Sequence, residues 1–72
     1  MRLERDNFGR LYVRKNGREF YLTADGGLAV RWTVPTIGAG GKIWHTWRWR
    51  RLSDRLTAGG ERIKAMLTMG MQ

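Results

Sequence analysis

Three tryptophans and four basic side chains fall within the twelve residues GKIWHTWRWRRL, Gly41 to Leu52. Such a set can recognise anions. An arginine fork bonds phosphate oxygens or a guanine edge, and an indole stacks on a base or on a guanidinium. Bond-making chemistry has much thinner support. His45 is the only histidine, and a lone histidine reads as a structural residue. Ser53 has no base near it in sequence, and the six acids are scattered with no pair placed for acid–base work. With no cysteine and one histidine the chain offers no ligand set at metal-binding spacing. The run GAGGK, Gly38 to Lys42, imitates a phosphate loop. A true one needs a glycine five residues before its final Gly-Lys pair and Ser or Thr after the lysine, where Thr36 and Ile43 stand. The expectation is a protein that is not an enzyme, with no cofactor and no metal.

The charge balance agrees. The chain has 72 residues and a net charge of +8, from 14 Lys+Arg against 6 Asp+Glu, and eleven of the cations are arginine. An excess of this kind points to nucleic acid, an anionic membrane surface or an acidic protein. No stretch approaches the roughly 18 apolar residues of a spanning helix. The segment MRLERDNFGR has no apolar core and is not a signal peptide. Together with the missing cysteines, this makes the cytoplasm the expected compartment.

Elements must position these groups, and their period is legible. In RLYVRK, Leu11 and Val13 alternate with Arg10, Tyr12 and Arg14. Asn16-Gly17 is a strong hairpin signal because both residues tolerate positive φ. In REFYLT, Phe20 and Leu22 alternate with Glu19 and Tyr21. ADGG turns the chain again, and LAVRWTV sets Leu28, Val30, Trp32 and Val34 against Ala29, Arg31 and Thr33. Pro35 is read as the end of that strand, since it removes a ladder donor. In the last strand, Ile43, His45, Trp47 and Trp49 oppose Trp44, Thr46, Arg48 and Arg50. The tail then changes period. Leu52, Leu56, Ile63, Met66, Leu67 and Gly70 recur at helical spacing. Ser53 or Asp54 is a fair N-cap, with an alternative start near Thr57 that leaves Gly59 and Gly60 in the first turn. Met66 and Met69 are expected to fill gaps beneath the helix.

The predicted fold is α+β, a three- or four-stranded antiparallel sheet with one face covered by a C-terminal helix. It forms one small domain over 1–72, with 1–9 a short strand or a flexible arm, 10–52 the sheet and 53–70 the helix. Alternation assigns Leu11, Val13, Phe20, Leu22, Leu28, Val30, Trp32, Val34, Ile43, Trp47 and Trp49 to the covered face. The open face then collects Arg10, Tyr12, Arg14, Tyr21, Arg31, Trp44, Thr46, Arg48 and Arg50, with Glu19 its one expected acid. Arginine interleaved with exposed aromatics is the composition of a nucleic-acid surface.

The segment REFYLTADGGLAVRWTVPTIGAGGKIWHTWRWRR resembles the N-terminal arm-type DNA-binding domain of phage and genomic-island tyrosine recombinases. The matching features are Tyr21 and Leu22, the turn Asp25 to Leu28, the strand to Val34, Gly41 and Lys42, and Trp44 with Trp47 to Arg50. They span about half the chain. The resemblance implies a sheet laid into the DNA major groove with a helix behind. It also implies that Arg31, Thr33, Arg48 and Arg50 face the DNA.

The sequence therefore predicts a non-catalytic binder of double-stranded DNA, an accessory or architectural factor of a phage or mobile element. Its candidate contact residues are Arg10, Tyr12, Arg14, Tyr21, Arg31, Thr33, Trp44, Arg48 and Arg50. One alternative is a phage-type inhibitor that grips an acidic host protein through the same arginine and aromatic face. Another is a single-stranded RNA or DNA binder that stacks bases on Tyr12, Tyr21 and Trp44. An open first or last strand leaves a homodimer as a further expectation.

Overall fold

Each turn signal in the sequence closes a hairpin, and the result is a five-stranded antiparallel meander with one helix. The computed structural model describes residues 1–70. The strands β1 (Arg2–Arg5), β2 (Leu11–Lys15), β3 (Arg18–Leu22), β4 (Leu28–Ile37) and β5 (Ile43–Arg51) lie in sequence order, followed by α1 (Ala58–Gly70). Residues 2–5, expected as a short strand or an arm, pair with β2 and make the fifth strand, one more than predicted. Asn16 at φ 54 and Gly17 at φ 75 form the two-residue β2–β3 turn, which fixes Arg14 opposite Glu19 and Val13 opposite Phe20.

Pro35 does not end β4. The Gly38 N–H donates to the Lys42 carbonyl at 2.8 Å. Antiparallel pairs alternate between bonded and non-bonded, so Pro35 and His45 are a non-bonded pair, and the missing N–H would have faced the open edge of β4. β3 reaches only as far as Arg31 along β4. Trp32 to Ile37 and Ile43 to Arg48 therefore pair only with each other, a free two-stranded ribbon about 20 Å long at strand rise. The radius of gyration, 14.1 Å, exceeds the roughly 11 Å of a compact chain of this length.

The helix begins at Ala58, later than a Ser53 start. Thr57 caps it, accepting the Gly60 N–H on Oγ1 at 3.1 Å. Ser53 instead donates to the Arg55 carbonyl and Asp54 pairs with Arg51. Ile63 and Leu67 pack with Val13 and Leu28 as the buried core, flanked by Leu11, Phe20, Leu22, Leu52, Leu56 and Met66. Met69 fills no gap and is exposed. The helix packs on β1, β2 and β3. The ribbon lies beyond it, and this overturns part of the expected core. Ile43, Trp47 and Trp49 are exposed, and so is His45. Among the described residues no helix is long and apolar enough to cross a membrane.

Candidate nucleic-acid interface

The β4–β5 register decides which face each candidate occupies. Val30 stands opposite Arg50, Trp32 opposite Arg48, Arg31 opposite Trp49 and Thr33 opposite Trp47. Directly opposed residues share a face. Arg48, Arg50, Thr46 and Trp44 therefore lie on the helix side of the sheet with Trp32 and Val34. Trp47, Trp49, His45 and Ile43 lie on the outer side with Arg31. This inverts the sequence assignment of β5, because a one-residue difference in register exchanges every side chain between faces. The nine predicted contact residues divide accordingly. Arg10, Tyr12, Arg14, Tyr21, Arg31 and Thr33 are outer, and Trp44, Arg48 and Arg50 are on the helix side.

On the outer side the tyrosines are not stacking platforms. Tyr12 is 8% and Tyr21 5% exposed, with ring centroids 5.4 Å apart. Arginines cover them. Arg10 lies 4.9 Å and Arg31 4.8 Å from the Tyr21 ring, and Arg14 lies 5.9 Å from that of Tyr12. Buried Glu19 is the hub. It accepts from Arg31 Nε at 2.7 Å, from Arg14 Nη2 at 3.1 Å and from the Tyr21 hydroxyl at 3.1 Å. Burial, then the hydrogen bond to Glu19, pushes the Tyr21 hydroxyl up to about 12. Arg14 Nε also stands 3.4 Å from Glu4, and Arg51 bridges Asp25 and Asp54. All four strand arginines of this face, Arg2, Arg14, Arg31 and Arg51, are thus paired with Glu4, Glu19, Asp25 or Asp54. Sequence reading missed Glu19 as an organiser. The signal was there, because the Asn16-Gly17 turn sets it opposite Arg14, and it faces Arg31 on its other side.

The helix side is different. Lys15 stands opposite Arg18, Arg18 lies 5.8 Å over the Trp32 ring, and Trp32 stands opposite Arg48. These residues form a row across four strands, with Arg50 one step along. Among the described residues Lys15, Arg18, Arg48 and Arg50 make no ion pair and no side-chain hydrogen bond. From Leu28 to Arg51 the hairpin contains no acid. At the foot of the ribbon two adjoining hollows of about 450 and 430 Å³ share Leu52, Thr57 and Gly60, and their rims carry Arg50, Arg55, Lys15 and Arg18. Towards the tip, Trp44 lies over Gly38, and the Thr36 and Thr46 hydroxyls are 3.0 Å apart. Among the described residues no cluster of histidine and acid side chains could hold a metal.

The chain matches no protein-family model, no curated protein and no solved structure.

Proposed function

We propose that the protein binds double-stranded DNA, with the β4–β5 ribbon entering the major groove and its helix-side face turned to the bases and phosphates. The observation that carries this reading is the row Lys15, Arg18, Arg48 and Arg50, four cations that make no ion pair among the described residues, beside a ribbon that projects from the sheet. A major groove about 12 Å wide admits a two-stranded ribbon. Unpaired arginines can displace the counterions of several phosphates, and a fork from Arg48 or Arg50 fits the O6 and N7 edge of guanine.

The docking mode is the one implied by the resemblance to recombinase arm-binding domains, but the residue set is revised. Arg31 and Thr33 face away from Arg48 and Arg50, so they leave the proposed contact set. So do Arg10, Tyr12, Arg14 and Tyr21. Trp44, Arg48 and Arg50 stay, and Lys15 and Arg18 join them. Burial of Tyr12 and Tyr21 also removes two of the three stacking platforms that a single-strand reading needs.

The test is fluorescence anisotropy with a labelled duplex, its single strand and an RNA hairpin, titrated from about 50 to 300 mM salt. The expected result is a preference for duplex that persists near 150 mM salt. Equal, weak binding to all three that vanishes by the same salt would overturn the reading.

A further inference from the structure

The outer face of the ribbon has no place in that reading, yet it gathers four exposed large apolar side chains. Ile37 is 75%, Ile43 66%, Trp47 53% and Trp49 75% exposed. They lie on one face with Thr33, Pro35 and His45, all exposed as well. The four large side chains alone expose on the order of 500 Å², taking the usual area of a buried aromatic as a guide. Monomers rarely leave a contiguous patch beyond a few hundred Å² open. A standard interface needs about 800 Å² from each partner, and the three smaller residues with the ribbon backbone extend the patch towards that figure.

We infer that this face is covered by a second copy of the chain, ribbon packed on ribbon. Electrostatics favours a copy over a nucleic acid here. The four strand arginines of the outer face are matched by four carboxylates, and the apolar ribbon residues add no charge. Arg10, the outer cation without an ion pair among the described residues, is stacked on Tyr21 and bonded to the Leu22 carbonyl, so two chains of net charge +8 can approach through this surface with few free cations brought together. Face-to-face strands pack about 10 Å apart, so the two rows of Lys15, Arg18, Arg48 and Arg50 end up on opposite outsides of the dimer. A dimer of this geometry joins two duplexes instead of reading two half-sites of one. That last step rests on the DNA-binding reading; the dimer itself does not.

Sedimentation equilibrium of the full chain without DNA, at about 100 μM, tests the dimer, since an interface of this size has a Kd of micromolar or tighter. The expected mass is twice 8.4 kDa. Trp47→Ser/Trp49→Ser should sediment as a monomer with an unchanged circular dichroism spectrum, because neither indole is in the core. Arg48→Ala/Arg50→Ala should remain a dimer. A monomeric wild type overturns the inference, and so does a Trp variant that stays dimeric. Energy transfer between donor-labelled and acceptor-labelled duplexes then tests bridging. The wild type should give transfer, and the Trp variant should bind each duplex without it. A dimer that binds no duplex sinks the DNA reading and leaves the interface standing. A wild type that is monomeric in solution but binds vesicles of anionic lipid would give this face to a membrane, and the dimer would be wrong.

Discussion

On the outer face of the sheet, Arg2, Arg14, Arg31 and Arg51 stand against Glu4, Glu19, Asp25 and Asp54. On the helix side Lys15, Arg18, Arg48 and Arg50 meet no acid among the described residues. These two sets, the strand arginines of the outer face and the row on the helix side, are in different physical situations. Arg14 and Arg31, bonded to buried Glu19, have their desolvation offset, so they stabilise the fold and have little left for a ligand, whereas Arg2 and Arg51 pair with more exposed carboxylates and contribute less. A guanidinium with free donors contributes little to stability and keeps its interaction energy for a partner. Counting basic residues does not separate the two. The position of a single acid, Glu19, does.

The sharpest way to break this contrast is to delete two arginines from each side. Arg48→Ala/Arg50→Ala should weaken duplex binding by about 100-fold, from two contacts worth roughly 1–3 kcal/mol each. It should also reduce the salt slope by about 2. Arg14→Ala/Arg31→Ala should change duplex affinity by no more than roughly threefold, under 1 kcal/mol, while lowering the urea midpoint. Anisotropy and urea denaturation on the same two variants decide it. If the two effects are exchanged, the functional face is the outer one.

Glu19→Gln is the next largest effect expected. It leaves Arg14, Arg31 and the Tyr21 hydroxyl with a weaker acceptor in a buried place, at a cost of about 2 kcal/mol for charge-assisted bonds lost. Urea denaturation would show it as a lower midpoint. It should also raise salt-sensitive binding to duplex of any sequence, because two outer arginines regain free donors. A variant that loses stability without that gain would mean that stacking on Tyr12, Tyr21 and Trp47 holds the guanidiniums by itself. Arg31 lies 4.4 Å from the Trp47 ring.

The same network sets the alkaline limit of stability. Tyr21 is raised to about 12 in the fold, against an ordinary value of 10. Between these values the unfolded chain loses the Tyr21 proton while the folded chain keeps it, so stability is intact below about pH 10 and falls as pH rises through 12. Tyrosinate absorbance should show one hydroxyl ionising near pH 12, and thermal melts should show the midpoint dropping over that window. At the acid end, Asp25 is lowered to about 2 by hydrogen bonds from the Thr23 hydroxyl, the Gly27 N–H and Arg51. Its contribution is present above about pH 4 and is lost as pH falls towards 2. It is the smaller of the two because the group is exposed. Glu19→Gln should shrink the alkaline effect to the part that burial causes and leave the acid one untouched.

What the sequence showed, and what it hid, follows where local rules fix the register. Alternation, the Asn16-Gly17 turn and the stripe through Ile63 and Leu67 were enough for the antiparallel sheet and its helix. They also put Val13, Phe20, Leu22, Leu28 and Val30 on one face. Arg2–Arg5 carries one large apolar residue in its four, Leu3, so its strand was only half legible. The β4–β5 hairpin was misread for a physical reason. Its loop, Gly38 to Lys42, has no two-residue turn to set the register, and Pro35 looked like a stop. Facing was then settled by hydrophobicity, which is informative only where a core exists. The 13-residue helix packs on β1 to β3 and reaches β4 only at its start, at Leu28. Beyond Arg31 neither face is core, and Trp47 and Trp49 went outward with the register. Tyr12 and Tyr21 were misread in the opposite sense. Their burial comes from the arginines above them, a cover that alternation cannot show.

The mildest perturbation concerns the tip of the ribbon, where the helix side carries an aromatic as well as cations. A β-carbon on Gly38 would lie 2.0 Å from Trp44 Cη2, so Gly38→Ala must push the indole off the turn. Trp44 is already half exposed and belongs to no core cluster, so the stability loss should stay near 1 kcal/mol or below. Tryptophan emission should shift to the red as the ring enters water. Duplex affinity should fall by less than tenfold, about 1.4 kcal/mol, because the unpaired row lies at the base of the ribbon and Gly38 lies at its end. A loss as large as that of Arg48→Ala/Arg50→Ala would move the contact to the tip. A larger loss on single strand than on duplex would make Trp44 a base-stacking residue, whose removal costs about 1–3 kcal/mol. The contrast between the two faces would then give way to one between the two ends of the ribbon.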